Sequence, residues 1–154
     1  MKIYDSLHNR LQTQHLAVEP IIAAVSDELL LQNPASGKWS IQNNIAHLTR
    51  YQKVFNERIT RMLVEGEPMF DCYSADTDPQ FESYLSIPVK TLLEIYNTDR
   101  DAVFARLTNL NQAELARIGV HPKYGRLTLL QWMEFFALHE AHHLYTIFQL
   151  VNNT

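Results

Sequence analysis

Four stretches of this chain carry apolar residues at the spacing of an amphipathic helix, and Gly37, Gly66, Gly119 and Gly125 are the only glycines among its 154 residues. Glycines that fall between periodic segments act as punctuation, so this arrangement predicts four long helices, roughly 3–31, 40–65, 84–109 and 127–152. In the first, Leu7, Leu11, Val18, Ile22, Val25 and Leu29 form the stripe, and Pro20 is expected to kink or divide it. "SDELL" (26–30) reads as a short extra helical turn with Ser26 as N-cap. Ser40 is placed to cap the second helix, whose stripe is Ile41, Ile45, Leu48, Phe55, Ile59 and Met62; the helix should end near Gly66-Glu67-Pro68. Leu85, Val89, Leu92, Tyr96, Val103, Leu107 and Leu110 mark the third, and the fourth should begin near Thr128, after "HPKYGR". No segment alternates strictly, so no strands are expected beyond short pieces. The prediction is an all-α fold, a four-helix bundle in a single domain over 1–154, with a long acidic loop (66–84) between the second and third helices. "DTDP" in that loop lacks the ligand ladder of an EF-hand, so calcium is not expected there.

Composition narrows the function. The net charge of -4 and pI near 5.9 argue against a nucleic-acid partner, which requires a basic face. No apolar run approaches the ~18 residues of a membrane span. The only cysteine is Cys72, so no intrachain disulfide can form, and with a polar start "MKIYDSLHNR" a reducing cytoplasm is the expected location.

Seven histidines remain to be explained, three of them within "LHEAHHLYTI" (138–147). Steps of four and three along the last helix pass through Trp132, Phe136, His139, His143, Thr146 and Leu150, the stripe expected to face the core. On a helix His139 and His143 lie about 40° apart, one above the other, whereas His142 leans about 100° away from His143. Two imidazoles in one apolar stripe each need their nitrogens satisfied, and one shared divalent cation satisfies both. A strong site needs a third ligand. The zinc-protease reading of His139-Glu140-Ala141-His142-His143 fails because Thr146 and Gln149 stand where the extended pattern needs glycine and histidine, and no acid follows His143. The di-iron reading fails because Glu140–His143 is the only E-x-x-H in the chain. The third ligand should come from upstream: His47 first, on the flank of an apolar arc with Leu48, Tyr51 and Val54, then His15, with His8 and His121 weaker.

Two motifs resemble a known family. "GKWSIQNNIAHL" (37–48) resembles the W-S-x6-H-L signature of the DinB/YfiT-like superfamily, and "HPKYGRLTLLQWMEFFALHEAHHLYTI" (121–147) its closing signature, a G-x-L-T-L run leading into H-[D/E]-x-x-H. The resemblance spans nearly the whole chain. It implies a four-helix bundle of the DinB/YfiT-like type and a metal site of one histidine from the second helix and an H-x-x-x-H pair from the last, here His47, His139 and His143. The register could instead use His142, which the stripe opposes.

Three imidazoles on a divalent ion leave open positions, where bound water would be acidified or a thiolate could coordinate. Zinc or nickel is expected first, with iron or manganese compatible, since imidazole discriminates poorly. The resemblance implies a thiol-dependent S-transferase or isomerase acting on a small molecule with a low-molecular-weight thiol such as bacillithiol or mycothiol, in a chain that pairs as a homodimer. The alternatives are a metal-dependent hydrolase using bound hydroxide, or a non-catalytic dimeric bundle whose metal is structural or absent. Candidate catalytic residues are Glu140, Tyr51 and Arg58. Glu140 lies about 100° from His139 and about 60° from His143, so it reads as a surface acid or a support to a ligand before a general base. Tyr51, Arg58 and Arg100 could line or buttress a pocket; the simpler reading makes Tyr51 core and each arginine an ion-pair or surface residue. Cys72, in the loop with no histidine partner, reads as an inert thiol.

Overall fold

A computed structural model describes residues 2–35 and 37–153; Met1, Ser36 and Thr154 lie outside the described residues. The first rod is α1 (Asp5–Thr13), a 3-10 turn (Gln14–Ala17) and α2 (Val18–Ile22). Then follow α3 (Asp27–Leu31), α4 (Ile41–Val64), a 3-10 turn (Ala75–Thr77), α5 (Phe81–Leu85), α6 (Val89–Thr108) and α7 (Gln112–Leu115). A hairpin of β1 (Ile118–His121) and β2 (Gly125–Thr128) leads directly into α8 (Leu129–Asn152).

The rod, α4, α6 and α8 form the four-helix bundle. α4 packs on α6 and α8, and the rod packs on the same two helices. The rod and α4 therefore occupy opposite corners, as do α6 and α8. This diagonal order sets α4 beside α8, which brings the second-helix and last-helix histidines to one seam.

Local chemistry explains the boundaries. Ser26 accepts from the Leu29 N–H and Ser40 from the Asn43 N–H, the N-caps expected of them. Thr128 and Gln131 form a reciprocal capping box at the start of α8. The first helix divides, the break expected of Pro20: the chain tightens into the 3-10 turn and Pro20 becomes the third residue of α2. Pro20 has no N–H, and its ring crowds the carbonyl four residues back, at Leu16, so the strain falls upstream of the proline. The third helix starts at Val89 rather than near 84, with α5 separate, because Pro88 is its N-cap and disfavours helical backbone at Ile87.

The hairpin pairs Ile118 with Thr128 and His121 with Gly125, and Gly125 has φ +70°. It closes one end of the bundle: Trp132 Nε1 donates to the Gly119 carbonyl at 3.2 Å, and Val120 bridges to Met69 of the long loop.

The core is divided. One apolar cluster holds Leu7, Leu11, Phe55, Val103, Leu107, Trp132 and Phe136; the other holds Val18, Ile22, Ile45, Leu48, Leu92, Tyr96, Leu144 and Ile147. Along every bundle helix a polar residue stands between the two sets: Gln14 and His15, Gln52, Arg100, and Glu140. Arg100 is fully buried and ties the bundle together, donating to Gln52 on α4, the Leu11 carbonyl on α1 and Glu140 on α8. Tyr96 and Gln14 also donate to Glu140.

Glu140 is therefore not a surface acid. It is 1% exposed and paired with Arg100 across the bundle diagonal, and Arg100 likewise is a core residue. The buried face of α8 is Leu129, Trp132, Met133, Phe136, Ala137, Glu140, His143, Leu144 and Ile147, rotated from the predicted stripe. Trp132, Phe136 and His143 belong to both; His139, Thr146 and Leu150 are only half-buried.

Candidate metal centre

The centre begins at the cap of α4. Ser40 fixes the start of that helix, and its carbonyl accepts from Asn44 Nδ2 at 2.8 Å. The amide orientation is thereby set, and Asn44 Oδ1 faces His143 Nδ1 at 2.8 Å. An acceptor at Nδ1 fixes the proton there and leaves the Nε2 lone pair of His143 free to ligate. Asn44 stands three residues before His47, so the same helix face carries both the support and a ligand.

His47 Nε2 and His139 Nε2 lie 3.0 Å apart, and one nitrogen from each of His47, His139 and His143 falls within 4.8 Å of the others. Two nitrogens sharing a metal at 2.0–2.1 Å must themselves stand about 3 Å apart. All three imidazoles are held neutral, the ligating form. Burial lowers His139 to about 2, helped by the neighbouring His143 and His47. Burial chiefly lowers His143 to about 3 and His47 to about 4. Two facing neutral Nε2 atoms need either a shared proton or a shared cation, and the two Nδ1 atoms behind them are buried without a partner among the described residues. The donor set fits a divalent ion.

Aromatic rings enclose the cluster. Around His47 stand Trp39, Tyr73, Tyr51 and Phe81, with ring centroids 5.0, 5.5, 5.9 and 6.2 Å away. Tyr51 is buried, its ring 4.2 Å from that of His139, and its hydroxyl accepts from Arg58 Nη1 at 3.3 Å. Arg58 also donates to the Asp71 carbonyl, pinning the long loop over this end of α4. Tyr51 and Arg58 thus wall the centre as a connected pair, and Arg58 is buried rather than a surface charge.

The remaining sequence candidates fall elsewhere. His15 is buried edge-on to Tyr96, in the polar layer, away from the cluster. His142 is exposed and outside the cluster. His121 serves the hairpin turn, its Nδ1 accepting from the Lys123 and Tyr124 N–H groups. Glu140 points into the polar layer, with its oxygens engaged by Arg100, Tyr96 and Gln14, so it is not poised as a base for the cluster. Cys72 is exposed in the long loop. Sequence reading missed Asn44 and, of the aromatic wall, all but Tyr51. The spacing Asn44–His47 was the available signal for the first, whereas Tyr73 and Phe81 sit in and after a loop whose path the sequence does not fix.

Fold and site together define a class: a four-helix bundle with a three-histidine cluster at the seam of its second and last helices. The chain belongs to the DinB superfamily, whose family model matches residues 10–147. It is similar to "Uncharacterized protein YuaE" of Bacillus subtilis (strain 168), 26% identical over 135 residues that cover 80% of this chain and 83% of YuaE. In structure it is similar to YfiT from Bacillus subtilis, with a TM-score of 0.84 and 18% identity, covering 97% of this chain and 86% of YfiT. That protein is described as "a probable metal-dependent hydrolase with an unusual four-helix bundle topology".

Proposed function

We propose that this chain is a metal-dependent enzyme that binds one divalent cation, zinc or nickel first, through His47, His139 and His143, and hydrolyses a small-molecule substrate there. The observation that carries this reading is the convergence of three neutral imidazoles from two helices, with Nε2 atoms of two of them 3.0 Å apart. The description of YfiT supports the reaction class. A cation held this way supplies Lewis acidity and lowers the pKa of a bound nucleophile toward neutrality. The chain's own residues do the rest. Asn44 sets the tautomer of His143. Trp39, Tyr73 and Phe81 limit the water around His47, which strengthens electrostatic interactions inside the site. Arg58 holds the Tyr51 hydroxyl and so fixes the ring that packs against His139.

Thiol-dependent S-transfer is the second reading. It is favoured by the make-up of the cluster, which among the described residues includes no Asp or Glu and so leaves an anionic thiolate unopposed there. Elemental analysis and turnover separate the outcomes. The purified protein is expected to carry about one equivalent of metal, lost in His139→Ala and His47→Ala, and to cleave ester or amide substrates without added thiol. Turnover that requires a thiol would select the second reading. Metal and turnover unchanged in His139→Ala would sink both.

A further inference from the structure

The stripe of α8 that carries the histidine pair leaves the core after His143 and runs along a groove of about 970 Å³. His143, Thr146 and Leu150 form one wall; Leu29, Pro34 and Trp39 face them from α3 and the segment before α4. The volume is that of a site for a drug-sized molecule. Trp39 links groove and centre: it lines the groove while its ring stacks on His143 at 6.1 Å and lies 5.0 Å from His47.

The polarity of the lining is one-sided. In a chain with 17 acidic and 13 basic residues, the described residues of this groove include no Asp or Glu. Its charged group is Lys38, and its outer end carries the amides of Gln32, Gln149 and Asn153. Such a surface offers apolar contact near the centre, hydrogen-bond donors farther out, and nothing that repels an anion.

We infer that this groove binds the body of the substrate, and that the substrate is an organic acid with a flat apolar portion. The apolar part lies between Trp39 and Leu150, the acidic group reaches Lys38, and the reactive group reaches His143; this last placement rests on the proposed metal centre. Thr146 and Leu150 are then specificity-determining residues.

The test uses 1-anilinonaphthalene-8-sulfonate, an aromatic sulfonate, on the full chain. Saturable binding with energy transfer from tryptophan is expected, and Trp39→Phe weakens the binding and reduces the transfer, the remainder coming from Trp132 about 16 Å along the same helix from His143. Thr146→Glu and Lys38→Glu each weaken binding about tenfold, whereas Lys123→Glu, the same charge change in the hairpin, leaves it unaltered. Lys38 is exposed on a loop, so its variant reports on the groove even if Thr146→Glu unfolds. N-phenyl-1-naphthylamine, the same body without the acid, binds about tenfold more weakly. Non-saturable binding, affinity and transfer both unaltered in Trp39→Phe, or equal affinities across the three charge variants overturns the groove; equal affinity for the two probes overturns the acid. Binding persists in His139→Ala, so loss of the metal reading and loss of the groove are separately visible.

Discussion

Asn44 and Glu140 show how the meaning of a side chain is set by the residue opposite it. Asn44 looks like an ordinary helix amide until α8 places His143 against it. Its Oδ1 then decides which imidazole nitrogen is free. Groups behind a metal ligand typically contribute 10–100-fold in affinity. Asn44→Ala is therefore expected to weaken zinc binding by about that factor, measured by competition with a chromophoric chelator, with unchanged helical circular dichroism. Equal affinity would show that His143 does not depend on the amide. Glu140 and Arg100 are a buried pair, 1% and 0% exposed. Removing one partner leaves an uncompensated charge in the core, at a cost of about 3–5 kcal/mol, while replacing both with apolar groups is often tolerated. Glu140→Ala should lower the unfolding free energy obtained from urea denaturation by that amount, and Arg100→Met/Glu140→Leu should recover much of it. A Glu140→Ala protein of native stability would mean the pair does not hold the four helices together.

Among the elements, α8 was the most legible, and its misreading is instructive. The spacing His139–His143 pointed to the pair that the structure brings into the histidine cluster, because any helix puts i and i+4 on one face. The same spacing predicted a stripe buried from end to end. The structure rotates the core toward Glu140, Leu144 and Ile147, because the polar layer and the diagonal packing fix which face meets α6. Hydropathy cannot show a buried carboxylate whose partner lies forty positions away on another helix. The four glycines all fall between the long helices, as expected, but not for one reason. Gly125 stands in the hairpin with positive φ. Gly119 is dictated by packing: a Cβ there would meet Phe70 at 2.8 Å and Met62 and Trp132 at 3.0 Å. The hairpin must lie that close for Trp132 to donate to the Gly119 carbonyl. Gly119→Ala is thus expected to destabilise the protein by about 1–3 kcal/mol, the usual range for overpacking. Thermal unfolding followed by Trp132 fluorescence checks this. Gly66→Ala, with nothing within 4 Å of its added carbon, is the matched control and should change little.

At the scale of the molecule, four histidines held well below their ordinary pKa couple the fold to pH. His15, His47, His143 and His139 are lowered from 6.5 to about 4, 4, 3 and 2, each chiefly by burial. In the unfolded chain these groups take up protons near 6.5; in the metal-free fold they stay neutral until the pH is well below that. The unfolded state therefore binds more protons throughout the window from about 6.5 down to about 4, and stability rises with pH across it. Above that window the contribution is fully present; below it, His15 and His47 have lost theirs and the other two continue to lose stability. The slope is about 1.4 kcal/mol per pH unit for each group that protonates only on unfolding. The unfolding temperature of chelator-treated protein should be level at neutral pH and fall steeply between about pH 6.5 and 4. His15 provides the internal test, because it shares the burial but lies outside the ligand cluster. His15→Phe keeps a ring against Tyr96 and removes one of these titrating groups, so its profile should be shallower over this window, with metal content unchanged. A wild-type profile that stays level to pH 4 would mean that the native protein carries these protons, and that the imidazoles are not preset in their ligating form.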